Sequence, residues 1–254
     1  MEPGHGQITS TDPPGADTMM APGLDAAHAQ KKIKTLFGWL LFRRVSLPLS
    51  LLVARTPVRP WQITALGLGL GLGAGALLGY ATYPALVVGG VLALIAKLLD
   101  AMDGEVARAK HLETSGGYVA DGLCDRLRDT GLIIGMGIGA YRTDAPTGLW
   151  WTIVAVAMYL GFFYVSAAFP SHWREHRSEA EIDQKHMLRV TGRIRLGAGD
   201  TLAVATFVGA VASAPLWPVV GIAVLGPVAI VMKLRRLFTT RPWEADDRQP
   251  QPIR

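Results

Sequence analysis

YPALVVGGVLALIAKLLDAMDGEVARAKHLETSGGYVADGLCDRLRDTGLIIGMGIGA, residues Tyr83 to Ala140, begins apolar, turns charged in its middle and ends apolar. Tyr83–Leu99 carries one charge, Lys97, and runs on into a polar extension, Asp100–Lys110. Tyr118–Ala140 starts polar and becomes apolar from Thr130. A bilayer crossing takes about 20 apolar residues in a helix. The stretch therefore reads as two neighbouring membrane helices joined by a tight turn at 108–116. Their polar ends meet on one side of the membrane. Ionisable residues at such places mark function by default.

Outward from this pair, Gln62–Ala81, Leu149–Phe169, Leu196–Ser213 and Leu216–Met232 are further apolar runs. The expectation is an all-α integral membrane protein with six transmembrane helices, preceded by an interfacial amphipathic helix. Residues 1–25, rich in Gly, Pro, Ser, Thr and Asp, read as a disordered cytoplasmic tail. Residues 26–59 read as an interfacial juxtamembrane segment, because basic and apolar residues mix from Lys31 to Arg44. Val45–Ala54 is apolar but too short to cross and is interrupted by Pro48. Residues 60–238 read as the six-helix transmembrane domain, and 239–254 as a cytoplasmic C-terminal tail.

Composition supports this. The chain has 254 residues, 50% hydrophobic and 18% charged, where soluble domains carry nearer a quarter charged residues. Mean hydropathy is +0.29. The net charge of +5 points to an anionic membrane face or a phosphate-bearing substrate rather than nucleic acid. A single cysteine, Cys124, excludes an internal disulfide and a cysteine-built zinc site. With six spans, only Arg142 of the 25 Lys and Arg residues falls in a loop opposite the termini. The positive-inside bias then puts both termini and the polar helix ends in the cytoplasm, at the plasma membrane if the source is bacterial.

Glycines recur every fourth residue at Gly67, Gly71, Gly75 and Gly79, and again at Gly131, Gly135 and Gly139. Small residues on one helix face let backbones approach closely. Two uses are open: tight packing inside one bundle, or the face of a homodimer. No G-x-G-x-x-G register after a strand is present, so a dinucleotide fold is excluded.

The chemistry lies between Asp100 and Asp125. Asp100 and Asp103 share a helix face, continued by Gly104, Ala107 and Arg108. On the next helix Gly117, Asp121 and Asp125 are spaced by four. A tight turn would bring the two stripes together. Each aspartate alone could be a solvated helix-end charge. Four in this register would repel strongly unless a cation held them. Oxygen ligands select Mg²⁺, Mn²⁺ or Ca²⁺, and such a cluster can hold two ions that clamp a diphosphate. Gly104, Ala107 and Gly117 leave room for a nucleotide, and Arg108 offers a fork for phosphate oxygens.

This arrangement resembles the CDP-alcohol phosphotransferase (CDP-alcohol phosphatidyltransferase) family, whose signature is D-x-x-D-G-x-x-A-R-x8-G-x3-D-x3-D. Asp100, Asp103, Gly104, Ala107, Arg108, Gly117, Asp121 and Asp125 match every fixed position. The resemblance implies a membrane transferase that moves a substituted phosphate from a CDP-linked donor to an alcohol and releases CMP, in phospholipid biosynthesis. It implies two divalent ions, Mg²⁺ or Mn²⁺, on Asp100, Asp103, Asp121 and Asp125. It makes Asp125 the base for the acceptor hydroxyl and assigns Gly104, Ala107, Arg108 and Gly117 to the nucleotide. Family members often carry P-N-x-I/L-T before the first span; here Pro60-Trp61-Gln62-Ile63-Thr64 has Trp in place of Asn.

The acceptor falls outside the signature. Arg189 and Arg193, in the basic 170–195 loop, are candidates for binding a phosphorylated acceptor such as inositol phosphate or glycerol phosphate; the alternative is attraction to anionic lipid. His172 and His176 read as a solvated loop face. Lys97 either snorkels to the interface or pairs with an aspartate. Asp129 and Asp200 orient the arginines, line the cavity or cap helices. Two rival functions use similar residues: a prenyltransferase gripping a diphosphate through aspartate-bound Mg²⁺, and a divalent-cation transporter.

Overall fold

The computed structural model describes residues 42–143, 145–171, 187–191 and 194–239. The expected tail at 1–25, the start of the juxtamembrane segment, His172, His176, Arg193 and most of the C-terminal tail lie outside the described residues.

Seven helices are described: α1 Arg43–Ala54, α2 Pro60–Tyr80, α3 Tyr83–Ala109, α4 Ser115–Arg142, α5 Gly148–Ser171, α6 Ala198–Val211 and α7 Leu216–Thr239. A short ribbon, β1 Met187–Thr191 antiparallel to β2 Ile194–Gly197, stands where the sequence suggested only a loop. The all-α expectation therefore holds for the bundle but not for this connection.

Helix boundaries follow local chemistry. Pro60 opens α2 at a position where its missing N–H costs nothing, and the Gln62 side chain accepts from the Arg59 N–H at 2.8 Å. Pro84 lies in the first turn of α3 in the same way. The Thr114 hydroxyl caps α4 by accepting from the Gly117 N–H at 3.0 Å. At the far end of α3, Lys110 Nζ donates to the Thr56 and Val58 carbonyls at 2.7 and 2.6 Å, tying that end to the α1–α2 linker.

Helices α2 to α7 fall on the six apolar segments expected to span. Four of them, Pro60–Tyr80, Tyr83–Ala109, Gly148–Ser166 and Leu216–Arg235, are long and apolar enough to cross a membrane by length and composition. The other two are not. The stretch of α4 from Asp121 to Asp129 holds Asp121, Asp125, Arg126, Arg128 and Asp129. Helix α6 has 14 residues, about 21 Å of helix against a hydrocarbon layer of about 30 Å.

The bundle exposes what a soluble one hides. Large apolar side chains such as Val88, Val91, Ile95, Leu225 and Val228 face outward, as on a lipid-facing surface. Asp103, Glu105, Arg128 and Asp129 are buried beside an apolar core. Helix α2 packs most closely on α3 and on α4, α5 packs on α7, and α6 packs on α3. The main core cluster includes Ala74, Leu78, Leu86, Leu132, Ile133 and Met136.

The two glycine stripes face each other within this chain. A methyl group placed on Gly75 would sit 2.5 Å from the Gly131 carbonyl oxygen, and one on Gly135 would sit 2.7 Å from the Gly75 carbonyl carbon. The close-packing use of the stripes is the one observed.

Candidate active site

Three helices meet at the end of the bundle where α2 begins, α3 ends its apolar run and α4 begins. Helix α3 runs opposite to α2 and α4, and together they bring Thr64, Asp100, Asp103, Asp121, Asp125 and Arg128 around one recess. One oxygen each from Asp100, Asp121 and Asp125 lie within 4.8 Å of one another. Asp103 lines the same recess but is not part of that trio; its Oδ2 accepts from the Thr64 hydroxyl at 2.6 Å. The four signature aspartates thus share a recess, with three converging.

Three cations lie against them: Lys97, Arg128, and Arg126, whose Nη1 is 3.6 Å from Asp125 Oδ2. Lys97 Nζ donates to Asp100 Oδ2 at 2.5 Å and lies 3.7 Å from Asp200 on α6. Of the two fates open for Lys97, pairing is the one observed. Arg128 is the larger omission of the sequence reading. It is 4% exposed, and its guanidinium touches three carboxylates. Nη1 donates to Asp100 Oδ1 at 3.1 Å, and Nε donates to Asp129 Oδ1 at 2.9 Å. Nη2 lies 2.8 Å from Asp125 Oδ1, an ion-pair distance without hydrogen-bond alignment. The sequence held a signal for it: an arginine three residues after Asp125 in a helix otherwise bound for the membrane.

Behind Arg128, the Tyr159 hydroxyl on α5 donates a short hydrogen bond to Asp129 Oδ2. Asp129 is thereby an orienting group rather than a cap. Arg128 reaches its partners because Gly71 leaves space for its stem; a methyl group there would sit 2.8 Å from Arg128 Cδ.

The donor set fits a hard divalent cation. Asp121 Oδ1 is a buried carboxylate oxygen without a hydrogen bond, and Asp125 Oδ1 has only its ion pair with Arg128. An unmet buried oxygen is costly unless a partner reaches it, and oxygen-only ligands suit Mg²⁺ or Mn²⁺.

The residues expected to contact a nucleotide lie beside this recess rather than in it. Gly104, Ala107 and Arg108 continue α3 toward the α3–α4 turn, and Gly117 is exposed in the first turn of α4. The Arg108 guanidinium folds back over Gly104, where an added methyl would meet Nη1 at 3.3 Å. Arg189 is on β1, paired in register with Arg195; Arg193 lies outside the described residues.

A second buried cluster ties α1 to the site. Ser46 and Ser50 Oγ donate to the two oxygens of Glu105 at 3.0 and 2.8 Å, and all three side chains are buried. Glu105 is two residues past Asp103, so α1 is fixed against the polar end of α3. Ser46 and Ser50, one turn apart on α1, were the only sequence signal for it.

The family described as CDP-alcohol phosphatidyltransferase matches residues 57–231. The chain belongs to that family. As such it is a transferase of substituted phosphate groups, and its place is in phospholipid biosynthesis. No protein of curated function matches the transferase by sequence. Among solved structures, it is similar to the crystal structure of Mycobacterium tuberculosis phosphatidylinositol phosphate synthase with CDP-DAG bound. That match has 20% identity and a TM-score of 0.61, covering 83% of this chain and 100% of the other. At that identity the likeness is one of fold.

Proposed function

We propose that this chain crosses the membrane six times, with both termini and the recess on the cytoplasmic side. There it transfers the phosphate-linked group of CDP-diacylglycerol to an alcohol and releases CMP. The observation that carries this is the convergence of Asp100, Asp121 and Asp125 within 4.8 Å at the polar end of the α2–α3–α4 bundle. The choice of donor draws on the similar fold of a synthase with CDP-DAG bound. A CDP-polyol is the second donor class.

Asp100, Asp103, Asp121 and Asp125 would hold two divalent cations, Mg²⁺ or Mn²⁺, whose charge neutralises the donor diphosphate and stabilises departing CMP. Gly104, Ala107 and Gly117 let the cytidine nucleotide lie against helix backbone, and Arg108 holds diphosphate oxygens through its fork. The acceptor oxygen attacks the phosphorus of the transferred group. As that bond forms, the bond from this phosphorus to the CMP oxygen breaks, and CMP leaves with the electron pair. Asp125 takes the hydroxyl proton. Arg189 and Arg193 would bind a phosphate on the acceptor, of the inositol phosphate or glycerol phosphate kind.

The test is CMP release by the purified chain with Mg²⁺, given CDP-diacylglycerol or CDP-inositol and a panel of alcohols and alcohol phosphates. Release that depends on both donor and acceptor supports the reading. Pyrophosphate release from a prenyl diphosphate, or cation flux into vesicles without nucleotide, would replace it. In the same assay Arg189→Ala with Arg193→Ala should raise the acceptor KM; an unchanged KM removes them from the acceptor site.

A further inference from the structure

We infer that Arg128 and Lys97 are resident counter-cations that compete with the divalent ion for the carboxylates of the recess. This rests on the metal-binding reading above and adds what this chain's own cations do to it.

Both oxygens of Asp100 are occupied by side-chain cations, Oδ1 by Arg128 at 3.1 Å and Oδ2 by Lys97 at 2.5 Å. Asp125 Oδ1 faces Arg128 Nη2 at 2.8 Å. Two of the three converging carboxylates are thus engaged from within the protein. The third, Asp121, has a buried oxygen, Oδ1, without a hydrogen bond. An entering ion must take Asp100 and Asp125 away from ammonium and guanidinium groups.

Those groups cannot swing clear. Asp129 holds Arg128 Nε at 2.9 Å, and Tyr159 fixes Asp129 from the far side. The Arg128 stem lies in the notch at Gly71. Lys97 is enclosed by Asp100, Asp200 and the backbone of Gly199, where an added methyl would sit 3.2 Å from Nζ. The positive charge therefore remains beside the metal after displacement and repels it. In the low dielectric of a membrane-edge site this repulsion is large. The same pairs let the recess fold without a cation, since they meet the repulsion among the aspartates.

The misaligned Arg128–Asp125 contact points the same way. Nη2 and Oδ1 are close, yet neither makes a hydrogen bond. The pair is held by charge alone, the contact most readily exchanged for a divalent ion.

The experiment is Mn²⁺ binding to the full chain in detergent, read by the electron paramagnetic resonance signal of free Mn²⁺, with thermal unfolding in EDTA and in Mn²⁺. Arg128→Gln and Lys97→Gln should each bind Mn²⁺ at least about tenfold more tightly than the native chain, as expected from removing one nearby like charge. Each should unfold at lower temperature in EDTA and gain more from Mn²⁺ than the native chain gains. Arg128→Lys, which keeps the charge, should bind Mn²⁺ as the native chain does. A variant that folds only with Mn²⁺ present also supports the inference, because the ion then replaces the lost cation. Unchanged or weaker Mn²⁺ binding in both neutral variants overturns it, as does failure of both to fold with and without Mn²⁺. If the native chain binds Mn²⁺ and the variants do not differ from it, only this inference fails. If no form binds Mn²⁺, the metal-binding reading fails with it.

Discussion

Helices α2 and α4 run alongside each other for most of their length, yet their two halves are built on opposite principles. From Gly75 to Gly79, α2 meets Gly131, Gly135 and Gly139 of α4 nearly backbone on backbone. One turn earlier, at Gly71, the same stripe admits the whole aliphatic stem of Arg128. The repeat is uniform in sequence but not in use. At one end the missing side chains bring helices together by close contact. At the other they make a notch that carries a guanidinium to three carboxylates. One periodic device therefore supplies both the rigid seam and the charged recess beside it.

The largest expected effect comes from the recess itself. Asp125→Asn keeps the shape of the side chain but cannot take a proton. CMP release should fall by about 10³-fold, within the range a general base contributes, while CDP-diacylglycerol binding largely remains. Single-turnover CMP release alongside equilibrium donor binding measures both. Turnover close to native would remove Asp125 as the base.

The seam should fail differently. Gly75→Val would drive side-chain atoms into the Gly131 carbonyl, a backbone group that cannot move aside. The expected loss is about 3 kcal/mol of stability, the upper part of the usual overpacking range. Thermal unfolding in detergent reads it. The surviving folded fraction should keep its Mn²⁺ affinity, because the recess is a turn away. A Gly75→Val chain as stable as the native one would mean the two stripes do not touch in the membrane.

The sequence disclosed these halves unequally. Hydropathy placed α2 to α7 to within a few residues, because a run of apolar side chains has few alternatives to a helix in lipid. It counted six spans where four helices meet the length and composition of one, since neither α4 nor α6 fits that description by itself. The acidic stripes were legible because Asp100, Asp103, Asp121 and Asp125 are fixed by helical register alone. What register could not supply was the partner across the gap. Arg128 stands next to Asp129 in sequence, but its placement toward Asp100 depends on Gly71, 57 positions earlier. Tyr159 is one aromatic among many in α5 and acquires its role only when α5 packs on α4. The Ser46–Ser50–Glu105 cluster is likewise a long-range pairing with nothing periodic to announce it. Paired charges inside a bundle are tertiary facts, and one chain's periodicity records only the secondary ones.

The notch at Gly71 offers the finest way to separate the two halves. In Gly71→Ala a single methyl group would run into the base of the Arg128 stem, so that side chain has to shift as a whole. The guanidinium at its end would be displaced from Asp100 and Asp125, and misplacement by about 1 Å near a reacting group costs on the order of 10- to 100-fold in rate. The repulsion among the aspartates is then left unmet, so the unfolding temperature should fall in EDTA and recover in Mn²⁺. The expected result is reduced CMP release with a stability loss that Mn²⁺ offsets, where the Gly75→Val loss is the same with and without the ion. Gly73→Ala supplies the reference: nothing lies within 4 Å of a methyl group there, so rate and stability should both stay native. If Gly71→Ala behaves like Gly73→Ala, the position of the arginine does not matter to the chemistry. If it loses as much stability in Mn²⁺ as in EDTA, like Gly75→Val, the notch is only more of the seam, and the two ends of α2 do not differ in use.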